Sequence, residues 1–174
     1  MNVLVRADAT IESGTGHIMR CAAFGTRLAV RGMKVHFACA ALPPSLGEWL
    51  RLRGLLFHPL IDVVFGDWRA DLRQTASLAM MLGGVDLLIV DHYGLDRNWE
   101  SSMRKYAKRI LAVDDLADRD HDCDFLLDQN LRYNAFTRYT NRVPPGTRQF
   151  IGPQFAMLRD EFDDPALLRP RDGS

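Results

Sequence analysis

The side chains best suited to chemistry lie close together in residues 6–20, RADATIESGTGHIMR. The apolar run Val3–Val5 precedes this segment and a helical pattern follows it, which predicts a strand, a glycine-rich turn and a helix. Gly14 and Gly16 carry no Cβ and allow a ligand to approach the backbone closely. His17 falls in the first helical turn, where an imidazole can abstract or donate a proton.

One other interpretation of this segment remains open, and a second is excluded. The glycines can serve only to make a tight turn, with His17 as a cap or a surface residue. A dinucleotide site is not expected, because the residue three positions after Gly16 is Met19 and Phe37–Cys39 stands where an acidic residue belongs.

Further polar clusters follow three other predicted strands. Asp91-His92-Tyr93-Gly94 comes directly after the aliphatic run Asp86–Val90, and we interpret it as functional rather than as a helix cap. Asp114–Asp115 follows Ile110–Val113, where a structural role is favoured and Asp115 is the candidate for substrate contact. Asp128-Gln129-Asn130 follows a shorter apolar run.

Strand and helix patterns alternate along the chain. The predicted strands are Val3–Val5, Val35–Ala40, Leu55–His58, Asp86–Val90, Ile110–Val113 and Phe125–Leu127. The predicted helices are residues 16–31, 44–53, 70–81 and 97–108. This alternation predicts an α/β fold, a Rossmann-like parallel sheet with helices on both faces. Ligands bind such sheets at the carboxyl ends of the strands, so the polar clusters should converge on one rim.

Composition limits the classes of function. The chain has 174 residues, with 22 basic and 22 acidic side chains, which argues against a nucleic-acid surface. Three scattered cysteines are typical of reduced thiols, and no apolar run reaches membrane-spanning length, so we expect a cytoplasmic protein that needs no membrane. His121 and Cys123 lack a second ligand pair with zinc-like spacing, so no metal and no cofactor are expected.

An ordered set of motifs resembles one family over essentially the whole chain. The motifs are Arg-Ala-Asp, Gly-Thr-Gly-His-x-x-Arg, Asp-His-Tyr-Gly, Val-Asp-Asp-Leu-Ala-Asp-Arg, Cys-Asp-x-Leu-Leu-Asp-Gln-Asn and Gly-Pro-x-Phe-Ala-x-Leu-Arg-x-Glu-Phe. In this order they resemble the N-terminal half of the PseG family, the UDP-sugar hydrolases of pseudaminic acid biosynthesis, and its spore-coat polysaccharide relatives. That family is in turn similar to MurG-type glycosyltransferases.

The resemblance implies the N-terminal half of a GT-B-type fold. Residues 1–162 would form the sugar-side domain with the catalytic histidine, and residues 163–174 a linker to a C-terminal nucleotide-binding domain, joined in cis or acting in trans. The implied reaction is hydrolysis of a UDP-linked diacetamido-trideoxy sugar, with His17 activating the attacking water. Asp8, Tyr93 and Asn130 would line the sugar side.

Besides His17, we expect a set of residues to bind the substrate. They are Asp8, Gly14, Thr15, Gly16, Arg20, Asp91, His92, Tyr93, Asp115 and Asn130. Two other functions remain open. One is a non-catalytic module that binds a sugar nucleotide or docks a partner, and the other is a glycosyltransferase with a sugar hydroxyl as acceptor.

Overall fold

A computed structural model describes residues 1–10, 14–135 and 137–159 of the chain. In that part, seven strands form one sheet in the order β3-β2-β1-β4-β5-β6-β7, and every pairing is parallel. The strands are β1 (Asn2–Ala7), β2 (Lys34–Cys39), β3 (Leu56–Pro59), β4 (Leu87–Asp91), β5 (Ile110–Val113), β6 (Phe125–Asp128) and β7 (Arg148–Ile151).

Helices cover both faces of the sheet. They are α1 (Gly16–Val30), α2 (Pro44–Arg51), α3 (Trp68–Met81) and α4 (Arg97–Met103), and a short 3₁₀ turn follows at Pro153–Phe155. One face packs on α1 and α2, and the opposite face packs on α3 and α4. The predicted α/β, Rossmann-like class is therefore confirmed.

The inner strands are apolar on both sides because both of their faces are buried. On β1, Val3 and Val5 join the cluster that contains α1, while Leu4 between them joins the cluster that contains α3. Helix α1 lies close to the sheet at Gly25, where a Cβ would be only 3.2 Å from Cγ1 of Val35.

The strand order places a crevice between β1 and β4. From β1 the chain proceeds to β2 and β3 on one side of the sheet, and β4 then begins the other side. In sheets of this kind the connections leave the carboxyl ends of these two strands in opposite directions and open a ligand-binding crevice. Asp8 follows β1 and Asp91 ends β4, so both carboxylates lie at this point.

The structure shortens one predicted helix and adds one strand to the predicted set. The helix expected over residues 97–108 ends at Met103, because the backbone of Ala107 pairs with that of Val85 and the chain must turn beforehand. Strand β7 was not predicted. It is a four-residue edge strand whose residues are exposed or half-buried, so it lacks the apolar run that marks the inner strands. The predicted linker, residues 163–174, lies outside the described residues.

Candidate active site

His17 and Asp91 form a buried hydrogen-bonded pair at the crevice. Helix α1 begins at Gly16 and so delivers His17 from its first turn, while Asp91 is the last residue of β4. Nδ1 of His17 lies 2.5 Å from Oδ1 of Asp91, and His17 as a whole is 6% exposed. A carboxylate can only accept, so Nδ1 carries a proton, and in the neutral imidazole Nε2 is then the atom with the lone pair.

Arg20 holds Asp91 in its ionised form. One turn after His17 on α1, its Nε and one terminal nitrogen donate to the two carboxylate oxygens, each over 2.6 Å. The Sγ of Cys21 donates to the same carboxylate over 3.4 Å. Burial opposes ionisation of Asp91, but the hydrogen bonds from Arg20 and His17 outweigh it and lower its pKa. Asp91 therefore stays a carboxylate that orients the imidazole.

Tyr93 packs against the imidazole of His17. The two ring centroids are 4.7 Å apart in an edge-to-face arrangement, and Tyr93 is partly exposed. Its hydroxyl donates to Oδ2 of Asp115 over 3.4 Å, and Arg20 reaches that same oxygen at 3.5 Å. Burial and the carboxylate of Asp115 raise the pKa of Tyr93, so its hydroxyl keeps its proton. The other oxygen, Oδ1 of Asp115, has no hydrogen-bond partner among the described residues.

Asp8 is fully occupied within the protein. Arg6 donates to both of its oxygens over 2.7 and 2.9 Å, and the backbone N–H groups of Ala40 and Ala41 donate to Oδ1. Nε2 of His92 lies 3.2 Å from Oδ2. Burial opposes ionisation of Asp8, but His92 and Arg6 outweigh it and hold the pKa well below its usual range.

His92 is committed to the same network. Its Nδ1 accepts the backbone N–H of Gly94 over 3.1 Å, so the proton sits on Nε2 and is donated to Asp8. The polar atoms of Asp8 and His92 thus hold the crevice in shape. These two residues are therefore available to a substrate only through the parts of their side chains that line the cleft.

A cleft of about 490 Å³ opens at this point of the sheet. The predicted site residues that line it are Asp8, His17, Asp91, His92 and Tyr93. Arg20 and Asp115 lie behind this lining and contact it through the ion pairs given above. The other predicted site residues are outside this lining: Gly14, Thr15, Gly16 and Asn130. The first three lie at the start of α1. The backbone N–H of Asn130 donates to Oδ1 of Asp128.

Four neighbouring strands share one arrangement at their carboxyl ends. Each is ended or followed by an aspartate that is ion-paired with an arginine; the pairs are Asp8–Arg6, Asp91–Arg20, Asp114–Arg119 and Asp128–Arg138. Asp114 and Asp128 are completely or almost completely buried, and the hydroxyl of Tyr139 lies between them, 3.0 Å from Oδ2 of Asp114 and 3.2 Å from Oδ2 of Asp128. These two aspartates hold the loops that follow β5 and β6, whereas the neighbouring Asp115 reaches the site only through its contacts with Tyr93 and Arg20.

Sequence patterns did not identify several residues that build the site. Arg6 lies within a strand, where its buried side chain reaches both Asp8 and Asp71 of α3. Asp71 also accepts from Nε1 of Trp99 over 3.0 Å. A charged residue inside the apolar run of β1 was the available signal, because a buried arginine requires carboxylate partners.

The described residues contain no group of three or more histidine, cysteine, aspartate or glutamate side chains that could hold a metal ion. His121 instead donates to Glu100 over 2.8 Å, and Cys123 is buried. None of the described helices is long and apolar enough to cross a membrane.

Fold and site together define a Rossmann-like α/β domain with a histidine–aspartate pair at the point where the strand order reverses. No family model matches the sequence. The chain is similar to the UDP-2,4-diacetamido-2,4,6-trideoxy-beta-L-altropyranose hydrolase of Campylobacter jejuni subsp. jejuni serotype O:2, with 29% identity over 168 residues. The resemblance drawn from the motifs is thereby confirmed, and the match is with the N-terminal domain of that hydrolase.

The extent of these similarities differs. The match covers 93% of this chain and 53% of the hydrolase, so the chain spans about half the length of the curated relative. Among solved structures, a short-chain dehydrogenase/reductase from Serratia marcescens BCRC 10948 gives a TM-score of 0.47 at 14% identity, covering 67% of this chain and 56% of the other. That likeness is too weak to carry an argument.

Proposed function

We propose that the cleft is the sugar-side half of a nucleotide-sugar hydrolase site in which His17 is the general base. Water attacks the anomeric carbon of the sugar, and the bond from that carbon to the phosphate oxygen breaks with its electron pair leaving on UDP. Nε2 of His17 takes the proton from the water. The observation that carries the proposal is the buried His17–Asp91 pair, clamped by Arg20 at the strand-order reversal.

The geometry suits a general base. Asp91 accepts the proton on Nδ1, which fixes the tautomer with a free lone pair on Nε2 and stabilises the imidazolium once it forms. Because Arg20 keeps Asp91 ionised, the carboxylate does not compete for the proton. General-base assistance of this kind contributes about 10²–10⁴-fold to a rate.

The substrate follows from the relative. The matched hydrolase acts, by its name, on UDP linked to a 2,4-diacetamido-2,4,6-trideoxy sugar. We assign the same substrate class and a role in pseudaminic acid-type sugar biosynthesis to this chain, as a cytoplasmic reaction.

We assign the contacts to the UDP part of the substrate to a region of protein outside this cleft. Binding energy from the remote UDP moiety is what orients the reacting centre in an enzyme of this type. Since the chain spans about half of its relative, we propose that a C-terminal nucleotide-binding domain, in cis or in trans, supplies those contacts. The chain by itself is then expected to bind UDP weakly and to turn over little substrate.

The test compares UDP release by three proteins, each assayed alone and with the C-terminal half of the relative supplied as a separate polypeptide. They are the unchanged chain, His17→Gln and the control His58→Gln, which alters a half-buried histidine on β3 away from the cleft. We expect turnover only in the mixtures, lost in His17→Gln and kept in His58→Gln. Full activity of His17→Gln would refute the general-base assignment.

The site of bond cleavage is tested separately in water enriched in ¹⁸O. Attack at the anomeric carbon leaves the released UDP free of label. Label in the terminal phosphate of UDP would show attack at phosphorus instead and contradict the proposal. Sugar transfer to an added sugar hydroxyl, at the expense of free sugar, would indicate a glycosyltransferase.

A further inference from the structure

The loop between β3 and α3, residues 60–67, places apolar side chains at the mouth of the cleft. Val64 and Phe65 are each 71% exposed, and both line the cleft that contains His17. Val63 and Trp68 extend the same wall. Single exposed apolar residues are ordinary, but a contiguous apolar wall in a cleft points to a ligand with apolar groups.

This loop is fastened at both ends. The backbone N–H of Leu60 donates to the carbonyl of Cys39 over 2.8 Å, and Gln74 of α3 pairs with both backbone groups of Ile61. At the other end, the side chain of Asp67 accepts the N–H of Ala70 and begins α3. Val64 and Phe65 are therefore presented to the cleft in a fixed position, which lowers the entropic cost of binding.

The apolar wall is continuous with the segment that carries Tyr93. The ring of Phe65 packs on that of His92, with centroids 5.4 Å apart. Gly94 makes this contact feasible, because a Cβ there would lie 3.1 Å from His92 and 3.2 Å from Phe65. A sugar held beside His17 and Tyr93 would thus meet Phe65 and Val64 on its other side.

We propose that Val63, Val64 and Phe65 form a subsite that selects sugars bearing methyl groups where ordinary hexoses bear hydroxyls. The inference rests on the proposed function and names the feature of the substrate that this wall reads. Deoxygenation at C6 leaves a methyl group, and each acetamido group ends in one. A hydroxyl placed against this wall would lose its hydrogen bonds to water without replacement.

The expected size of the selection follows from these chemistries. Burying one methyl group improves binding about fourfold. A hydroxyl in the same place is rejected by an apolar pocket about 10- to 100-fold. We therefore expect kcat/KM for a 6-deoxy sugar nucleotide to exceed that for the otherwise identical 6-hydroxy compound by roughly 10- to 100-fold.

The decisive variant is Val64→Thr, which keeps the side-chain volume and replaces a methyl by a hydroxyl at an exposed position. Phe65→Leu is the second variant, and Val30→Thr is the matched control on an exposed valine at the end of α1. In the reconstituted assay, Val64→Thr should lower the preference for the 6-deoxy compound several-fold, while Val30→Thr leaves it unchanged. Equal losses for both compounds, or an unchanged preference in both variants, would overturn the proposal.

A binding measurement separates this inference from the proposed function. Saturation-transfer difference NMR is recorded on the chain alone with the free 2,4-diacetamido-2,4,6-trideoxy sugar and with its 6-hydroxy counterpart. We expect the C6 methyl protons to receive the strongest saturation, and Val64→Thr to weaken that signal. If no turnover is found but this pattern appears, the hydrolase assignment fails and the subsite stands. Uniform or absent saturation of the methyl groups overturns the subsite, whatever the enzyme assay gives.

Discussion

Replacement of Glu100 by glutamine should change how the stability of this protein depends on pH. Glu100 and His121 are both buried, and Nδ1 of the imidazole donates to Oε1 of the carboxylate over 2.8 Å. Nε2 of His121 lies 3.8 Å from Asp114, which is too long for a hydrogen bond. Glu100→Gln keeps the shape of the side chain and removes the charge that faces the imidazolium. Because Oε2 also accepts the backbone N–H of Asp122 and the amide has only one acceptor oxygen, the variant adds a loss of stability that does not vary with pH.

The magnitude follows from the pKa of His121. Burial alone would lower it, but the carboxylates of Asp114 and Glu100 raise it from 6.5 to about 9. A pKa raised in the folded state stabilises the protein fully below pH 6.5, and that contribution is lost as the pH rises through 9. Its ceiling is about 3 kcal/mol. Since Asp114 remains in the variant, we expect Glu100→Gln to remove roughly 1–2 kcal/mol of it.

The assay is urea unfolding at a series of pH values from 6 to 8.5, on the unchanged protein and the variant. The difference between their free energies of unfolding should be largest at pH 6 and shrink steadily toward pH 8.5. The buried thiols of Cys39 and Cys123, with pKa values raised to about 12, add a decline at higher pH, but both proteins share it. A difference that is constant with pH would show that the His121–Glu100 contact carries no net charge interaction and would refute the reasoning.

Two further predictions concern stability at pH 7. Asp91→Asn leaves Arg20 without its buried counter-ion and should lower the free energy of unfolding by about 3 kcal/mol. Asp115 is more exposed and lies farther from Arg20, so Asp115→Asn should lower it by under about 1 kcal/mol. Equal losses of the two variants in urea unfolding would contradict this ranking. Gly47→Ala in α2 meets neighbouring atoms only at 3.5 Å and beyond, so it should stabilise by roughly 0.5–1 kcal/mol through helix propensity. Gly25→Ala in α1 should lose that gain to the 3.2 Å contact with Val35, and an equal rise in thermal midpoint for both variants would be evidence against it.

The fold was accessible from sequence because the inner strands are buried on both faces. Runs such as Asp86–Val90 have the aliphatic composition of a strand buried on both faces, and the helices between them are marked by ordinary cap and turn residues. The elements that escaped prediction are those fixed by distant partners. Helix α4 ends at Met103 because the backbone of Ala107 pairs with that of the distant Val85, about which the local pattern says nothing.

The site was accessible for a different reason. Once the strands are placed, the sheet rule alone brings His17, Asp91 and Tyr93 to one edge, and the structure has them in contact. What the rule does not give is which polar atoms remain available to a ligand. Asp8 is positioned as expected, yet its oxygens are occupied by Arg6, whose charge within the apolar run of β1 indicates a carboxylate partner without saying which one.

The aspartate–arginine pairs at the ends of β1, β4, β5 and β6 bear on how a charged molecule is captured. Each of these four aspartates has an arginine nitrogen within hydrogen-bond distance. At a distance the fields of paired opposite charges cancel. The electric field of these pairs in the solvent is therefore weaker, and falls off sooner, than that of a rim of unpaired basic residues. The anionic sugar nucleotide that we propose as the substrate is therefore not expected to be drawn to this edge by long-range steering, and its recognition would depend on the contacts that it makes after arrival.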